Sequence, residues 1–130
     1  MSSLEGLKYG LRAPWSNDEF HGTASPISGS AGDNTITIKS GGSIDFDPAG
    51  KYLKQVLVEL ASYASGDYIK EVAYTNGTTK VTLAKNIPLS YSGKGIEFTS
   101  PRLIPSGYWV EIVVTLSTEK GITVIAEFVW

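Results

Sequence analysis

The amino-acid sequence predicts an all-β domain: a single β-sandwich of about eight strands behind an extended N-terminal arm. Three observations carry this. Residues Tyr108–Ser117 and Ile122–Trp130 alternate apolar and polar side chains with the period of a strand. Asn76-Gly77, set between Thr75 and Thr78, has the composition of a tight hairpin turn. Turn residues recur about every 8–12 residues from Asn34 onward, and no stretch argues firmly for a helix. This spacing fits a sandwich or jelly roll; a small closed barrel is the alternative, and no solenoid-like repeat is visible.

In chain order, residues 1–34 come first. They combine Pro14, Pro26 and five glycines with many Ser, Asn and Asp, and show no sustained periodicity. Embedded in them are Leu4, Leu7, Tyr9, Leu11, Trp15, Phe20 and Ile27. A disordered tail is poorer in large apolar groups, so this segment reads as an arm that lies over a surface, its own or a neighbour's. The sandwich is expected over residues 35–130. Thr35–Lys39 and Ser43–Asp47 are short alternating runs, and Asp47-Pro48-Ala49-Gly50 is a turn. Leu53–Ser62 also fits helical spacing, but its β-branched residues and its alternation favour a strand. Ser65-Gly66-Asp67 turns the chain into Tyr68–Thr75. A type I′ turn at Asn76-Gly77 then pairs Val72 with Val81 and Tyr74 with Thr79, leaving Glu71 and Lys80 diagonal neighbours on the other face. Residues 85–94 read as a loop around Ile87, Leu89 and Tyr91, Gly95–Thr99 as a strand, and Pro101–Gly107 as a connection.

The C-terminal arms are expected to form a hairpin. With Glu119-Lys120-Gly121 as a three-residue loop and Gly121 in the left-handed bulge position, Thr118 opposes Ile122, Val114 opposes Ala126, and Ile112 opposes Phe128. One face of that hairpin is core: Tyr108, Val110, Ile112, Val114, Leu116, Val124, Ala126, Phe128 and Trp130. A chain closing on Trp reads as a strand held within a sheet. The other face carries Trp109, Val113, Ile125 and Val129 beside Glu111, Thr115, Thr123 and Glu127, which is apolar for a surface left to water. Something is expected to cover it, a loop, the N-terminal segment or another subunit.

Composition narrows the functions. With 130 residues, a net charge of −2 and 11 scattered Lys and Arg, the chain lacks the basic stripe of a nucleic-acid binder. It has no cysteine, which removes disulfides, thiolate catalysis and cysteine zinc sites. No apolar run approaches the roughly 20 residues of a membrane-spanning helix, and Met1–Gly10 lacks the apolar centre of a signal peptide. The one histidine, His21, lies beside Asp18 and Glu19 with no second His to complete a metal site. Asp45 with Asp47, and Glu111 with Glu127, are the carboxylate pairs of interest for acid–base chemistry. Turn capping accounts for the first pair, and protection against mispairing of a half-apolar sheet for the second. Calcium at Asp45, Asp47 or Asp33-Asn34 lacks a supporting loop spacing. No catalytic residue, cofactor or metal is expected.

Seven tyrosines and three tryptophans leave ligand binding open, since aromatic faces stack on sugar rings. Trp15, Tyr63 and Tyr91 fall at or near loops and are the candidate stacking residues of a carbohydrate-binding module, the second reading. The first reading joins the β domain, the arm anchored by Leu7, Tyr9, Leu11, Trp15 and Phe20, and the apolar second face. In layout the chain resembles small virion structural proteins of the capsid-decoration, head-fibre or minor jelly-roll kind. That resemblance implies a location on a virion surface or outside cells and docking of the arm on a major capsid or other lattice protein. It also implies a homo-oligomer, a trimer foremost, closed through Trp109, Val113, Ile125 and Val129.

Overall fold

The computed structural model describes residues 18–23, 25–89 and 93–130. Ten strands run through them: β1 (Asp18–Gly22), β2 (Ile27–Gly29), β3 (Gly32–Lys39), β4 (Ile44–Asp45), β5 (Tyr52–Leu60), β6 (Tyr68–Thr75), β7 (Lys80–Pro88), β8 (Gly93–Leu103), β9 (Trp109–Leu116) and β10 (Lys120–Val129). The described residues contain no helix. Strands form where alternation gives the pleat one apolar side. In β9, Val110, Ile112, Val114 and Leu116 are buried; in β10, Ile122, Val124, Ala126 and Phe128 are.

The strands make two sheets. Sheet A runs β1-β10-β5-β8, with β2 paired to β10 beyond β1, and sheet B runs β4-β3-β9-β6-β7. Apart from the short β2 and β4, the pairs β1·β10, β3·β9, β5·β8 and β6·β7 are nested, early strand with late strand. This is the wrap of a jelly roll, a long antiparallel ribbon rolled so that its two halves face each other. The core lies between the sheets. Leu53, Val56, Val58, Phe128 and Ile122 of sheet A face Ile36, Ile38, Ile69, Val72 and Ile112 of sheet B.

That wrap overturns the predicted C-terminal hairpin. β9 pairs with β3 and β6 in sheet B, whereas β10 pairs with β1, β2 and β5 in sheet A. Their apolar faces meet across the core instead of lying side by side. The proposed bulge does not form, because Gly121 sits inside β10 opposite Ser28 and takes no left-handed φ. The inward residues of β9 and β10 are as expected, with two exceptions. Tyr108 is half-buried, and Trp130 is 37% exposed, with Lys51 Nζ 5.4 Å from its ring.

Other departures are local. Residues 18–29, expected in the arm, contribute β1 and β2, so the sandwich takes in described residues that precede residue 35. β7 reaches Pro88 and Leu89 is buried, where a loop was expected. β8 continues through Pro101 to Leu103. At the β6–β7 hairpin Tyr74 pairs with Val81 and Thr75 with Lys80, leaving a four-residue connection. A type I′ turn needs positive φ at both central residues, and only Gly77 adopts it. The Asn76 side chain instead accepts the amides of Thr78 and Thr79 (2.9 and 2.7 Å), an Asx turn that widens the loop.

One carboxylate ties the crossovers at one pole. Asp67, on the β5–β6 link, is buried. Its Oδ1 accepts the Ser117 amide (2.8 Å) and hydroxyl (3.0 Å); its Oδ2 accepts the Ala64 amide (2.9 Å) and Lys120 Nζ (2.6 Å). The Asp67 carbonyl also accepts the amide of Leu89 (3.2 Å). Burial pushes this carboxyl up, but the donors from Lys120, Ser117 and Ala64 outweigh it and hold the pKa at about 2. The folded value lies below the unfolded 3.8, so the contribution is full above pH 4 and disappears as pH falls through 2. Asp67→Ala should cost about 3–5 kcal/mol in urea unfolding at pH 7, because Lys120 is left buried without its partner. Between pH 5 and 2 the native protein should lose about 2 kcal/mol more stability than Asp67→Asn.

Candidate functional site

The four residues expected on one covered face are divided between two. Trp109 and Val113 project from the outer side of sheet B, Ile125 and Val129 from the outer side of sheet A, with the sandwich between them. Glu111 and Glu127 part in the same way, so they form no carboxylate pair.

The outer side of sheet B is closed by its own side chains. Val113 lies between Thr35 and Glu71 on the flanking strands. Lys70 meets Asp33 at 2.7 Å across β9, and Asp33 also accepts the Thr115 hydroxyl. Lys80 reaches Glu71 at 2.9 Å, and the Thr82 hydroxyl donates to the same carboxylate. These bonds hold the carboxyls of Asp33 and Glu71 below their ordinary values and the ammonium groups of Lys70 and Lys80 above theirs. Such a lattice of exposed pairs adds little stability but leaves few polar groups unanswered on this face.

The outer side of sheet A is different. Register sets Gly22, Ile125, Leu57 and Gly95 in one row across the strands, and Asp18, Val129, Tyr52 and Leu103 in another. Between them runs Phe20, Glu127, Gln55 and Glu97. Phe20 is 60% exposed, Tyr52 41% and Leu103 47%. Glu127 is buried in this row, with Lys54 Nζ 3.7 Å away, where β5 bulges. Phe20, expected as an arm anchor, is thus a strand residue on this face; Leu7, Tyr9, Leu11 and Trp15 lie outside the described residues.

The remaining candidates have structural partners. His21 faces inward at the edge of sheet A, stacks on Phe46 with centroids 3.6 Å apart, and shares a 2.8 Å contact with Glu19. Asp45 Oδ1 accepts the Gly41 amide and Asp47 Oδ1 the Ala49 amide, both as turn caps. Asn34 bridges to Ser30. Among the described residues no three His, Asp or Glu side chains converge as metal ligands. Tyr63 is exposed on the β5–β6 link; Tyr91 and Trp15 lie outside the described residues.

A second feature escaped the sequence reading. At the pole opposite Asp67, an open cleft of about 370 Å³ is lined by the β3–β4 turn, the turn after β4 and the β8–β9 link. Trp109 and Tyr108 meet Lys39 and Asp47 there, residues more than 60 positions apart in sequence that only the β3·β9 pairing brings together. Periodicity marked Trp109 as outward-facing but carried no information about its neighbours. No protein-family model and no curated protein matches this chain.

His21 is expected to act through packing. Replacing it with Ala should remove the Phe46 stack and lower stability by about 1 kcal/mol in urea unfolding, leaving the far-ultraviolet spectrum unchanged.

Proposed function

We propose that this chain is a non-enzymatic structural module, a virion-surface component of the capsid-decoration or fibre kind, that assembles through the outer side of sheet A. The observation that supports this reading is the exposure of Phe20, Tyr52 and Leu103 beside Ile125, Leu57 and Val129 on one sheet. Large apolar groups exposed together on one sheet, here in two rows on either side of Glu127, Gln55 and Glu97, mark an interaction site more often than a single exposed side chain does. The interface residues of the proposal are therefore Ile125 and Val129 from the original four, joined by Phe20, Tyr52 and Leu103; Trp109 and Val113 are left out.

The occupant proposed is the segment 1–17 of a neighbouring copy. It brings Leu7, Tyr9, Leu11 and Trp15, the chemistry this face lacks a partner for. Its attachment point is favourable, since Asp18 opens β1 at the end of the row formed by Val129, Tyr52 and Leu103. Seventeen extended residues reach at most about 61 Å, and a four-strand sheet is only about 15 Å across. Exchange of arms around a closed ring, a trimer being the simplest such ring after the dimer, leaves no unfilled face. A lattice protein such as a major capsid protein is the competing occupant.

Sedimentation velocity decides the matter. The full chain should sediment as an oligomer, and Tyr52→Lys with Leu103→Glu should reduce it to single chains with the fold intact. Deleting residues 1–17 should do the same. Val113→Lys, on the other sheet, should leave the mass unchanged. A full chain that sediments as a monomer, indifferent to the changes at Tyr52 and Leu103, overturns self-association.

A further inference from the structure

The cleft at the Trp109 pole has the make-up of a ligand site. Its volume, about 370 Å³, falls in the lower part of the range for small-molecule sites, roughly 300–1,000 Å³. The Trp109 ring is held from three directions. Its Nε1 donates to Glu111 Oε2 (3.2 Å), Lys39 Nζ lies 4.4 Å from the ring centroid, and Gly77 passes beneath its edge. A Cβ at position 77 would sit 3.4 Å from the indole, an ordinary contact, so it is the φ of +93° that calls for glycine there. Tyr108 is fixed edge-on against Tyr74, with centroids 5.4 Å apart. An aromatic platform held this firmly does not have to be ordered by a ligand.

Around the platform stand polar groups with unused capacity. Lys39 makes no ion pair among the described residues, its ammonium resting over the indole. Asp47 uses Oδ1 on the Ala49 amide, and no described residue hydrogen-bonds its second oxygen. The hydroxyls of Ser40 and Ser106, also in the wall, have no hydrogen-bond partner among the described residues.

A polyhydroxylated ligand answers all of these groups together. A hydroxyl both donates and accepts, so vicinal hydroxyls can accept from Lys39 while donating to Asp47. The C–H face of a pyranose packs against an indole, as flat apolar surfaces do. An anion alone would meet the Asp47 carboxylate, and a cation alone would meet Lys39. We infer that this cleft is a binding site for a neutral saccharide, with Trp109 as the stacking platform and Lys39 and Asp47 as the hydroxyl-reading pair. It differs from the sequence-based expectation, which placed sugar stacking at Trp15, Tyr63 and Tyr91. It is also independent of the assembly reading, because its residues lie at one end of the strands of sheet B and not on the outer side of sheet A.

Two-dimensional ¹H–¹⁵N spectra of the full chain provide the test, titrated with the methyl glycosides of glucose, galactose, mannose and N-acetylglucosamine. At least one glycoside should move the Trp109 indole N–H signal saturably. Asp47→Asn still accepts the Ala49 amide and so retains the turn, yet it should weaken binding about tenfold by losing the anionic acceptor. Trp109→Ala should abolish binding, followed through the backbone signals of Lys39 and Gly107. If no glycoside moves these signals, or if the movement survives unchanged in both variants, the site is not a saccharide site.

Discussion

The Asp67 carboxylate is the constraint on which the wrap depends. A jelly roll changes sheet at nearly every link, so its connections must hold their ends in place without the help of hairpin hydrogen bonds. At one pole the β5–β6 and β9–β10 links are bound by this single group, and the residue after β7 is bound by its backbone carbonyl. Four donors converge on two oxygens in a site closed to water, where each bond is stronger than on the surface and an unpaired partner would be costly. The cation among those donors comes from the first residue of β10, so the pair also fixes where that strand enters sheet A.

Much of the fold can be read directly from the residues. Tyr68–Thr75 has the same bounds in sequence and structure, and Leu53–Ser62 differs from β5 by one residue at its start and two at its end. The inward positions of β9 and β10 follow from alternation alone. What alternation does not encode is the partner. A period of two says which side chains share a side of a strand, not whether the next strand lies beside it or across the core. Trp109, Val113, Ile125 and Val129 were therefore placed on one surface when they occupy two. Asp67 was legible only as a turn residue after Gly66, because its four donors come from positions 3 to 53 residues away. Lys120 similarly read as one residue of a three-residue loop, whereas it lies in β10 with its side chain buried against Asp67.

The two outer surfaces of the sandwich represent two solutions to one problem. Sheet B covers its outward Val and Ala with a network of Lys, Asp, Glu and Thr, and stands as a finished surface. Sheet A leaves aromatic and aliphatic groups outward around one buried glutamate. The asymmetry supports a molecule with one side turned toward a companion and the other toward solvent. The Trp109 cleft lies away from the outer side of sheet A, so the two proposals do not compete for one surface. An adhesive role for an assembled particle is the combination these two proposals would describe.

The position of β10 has a consequence for biosynthesis. It lies between β1 and β5, so until residues 120–129 leave the ribosome the first sheet exists only as separate pieces. A nascent chain must therefore carry unpaired backbone on β1 and on one edge of β5, together with half an exposed core, until β10 emerges. Closure of the roll waits for β10, and a chain cut short before Lys120 has no centre to its leading sheet. Quality-control proteases would meet such a fragment as unfolded chain.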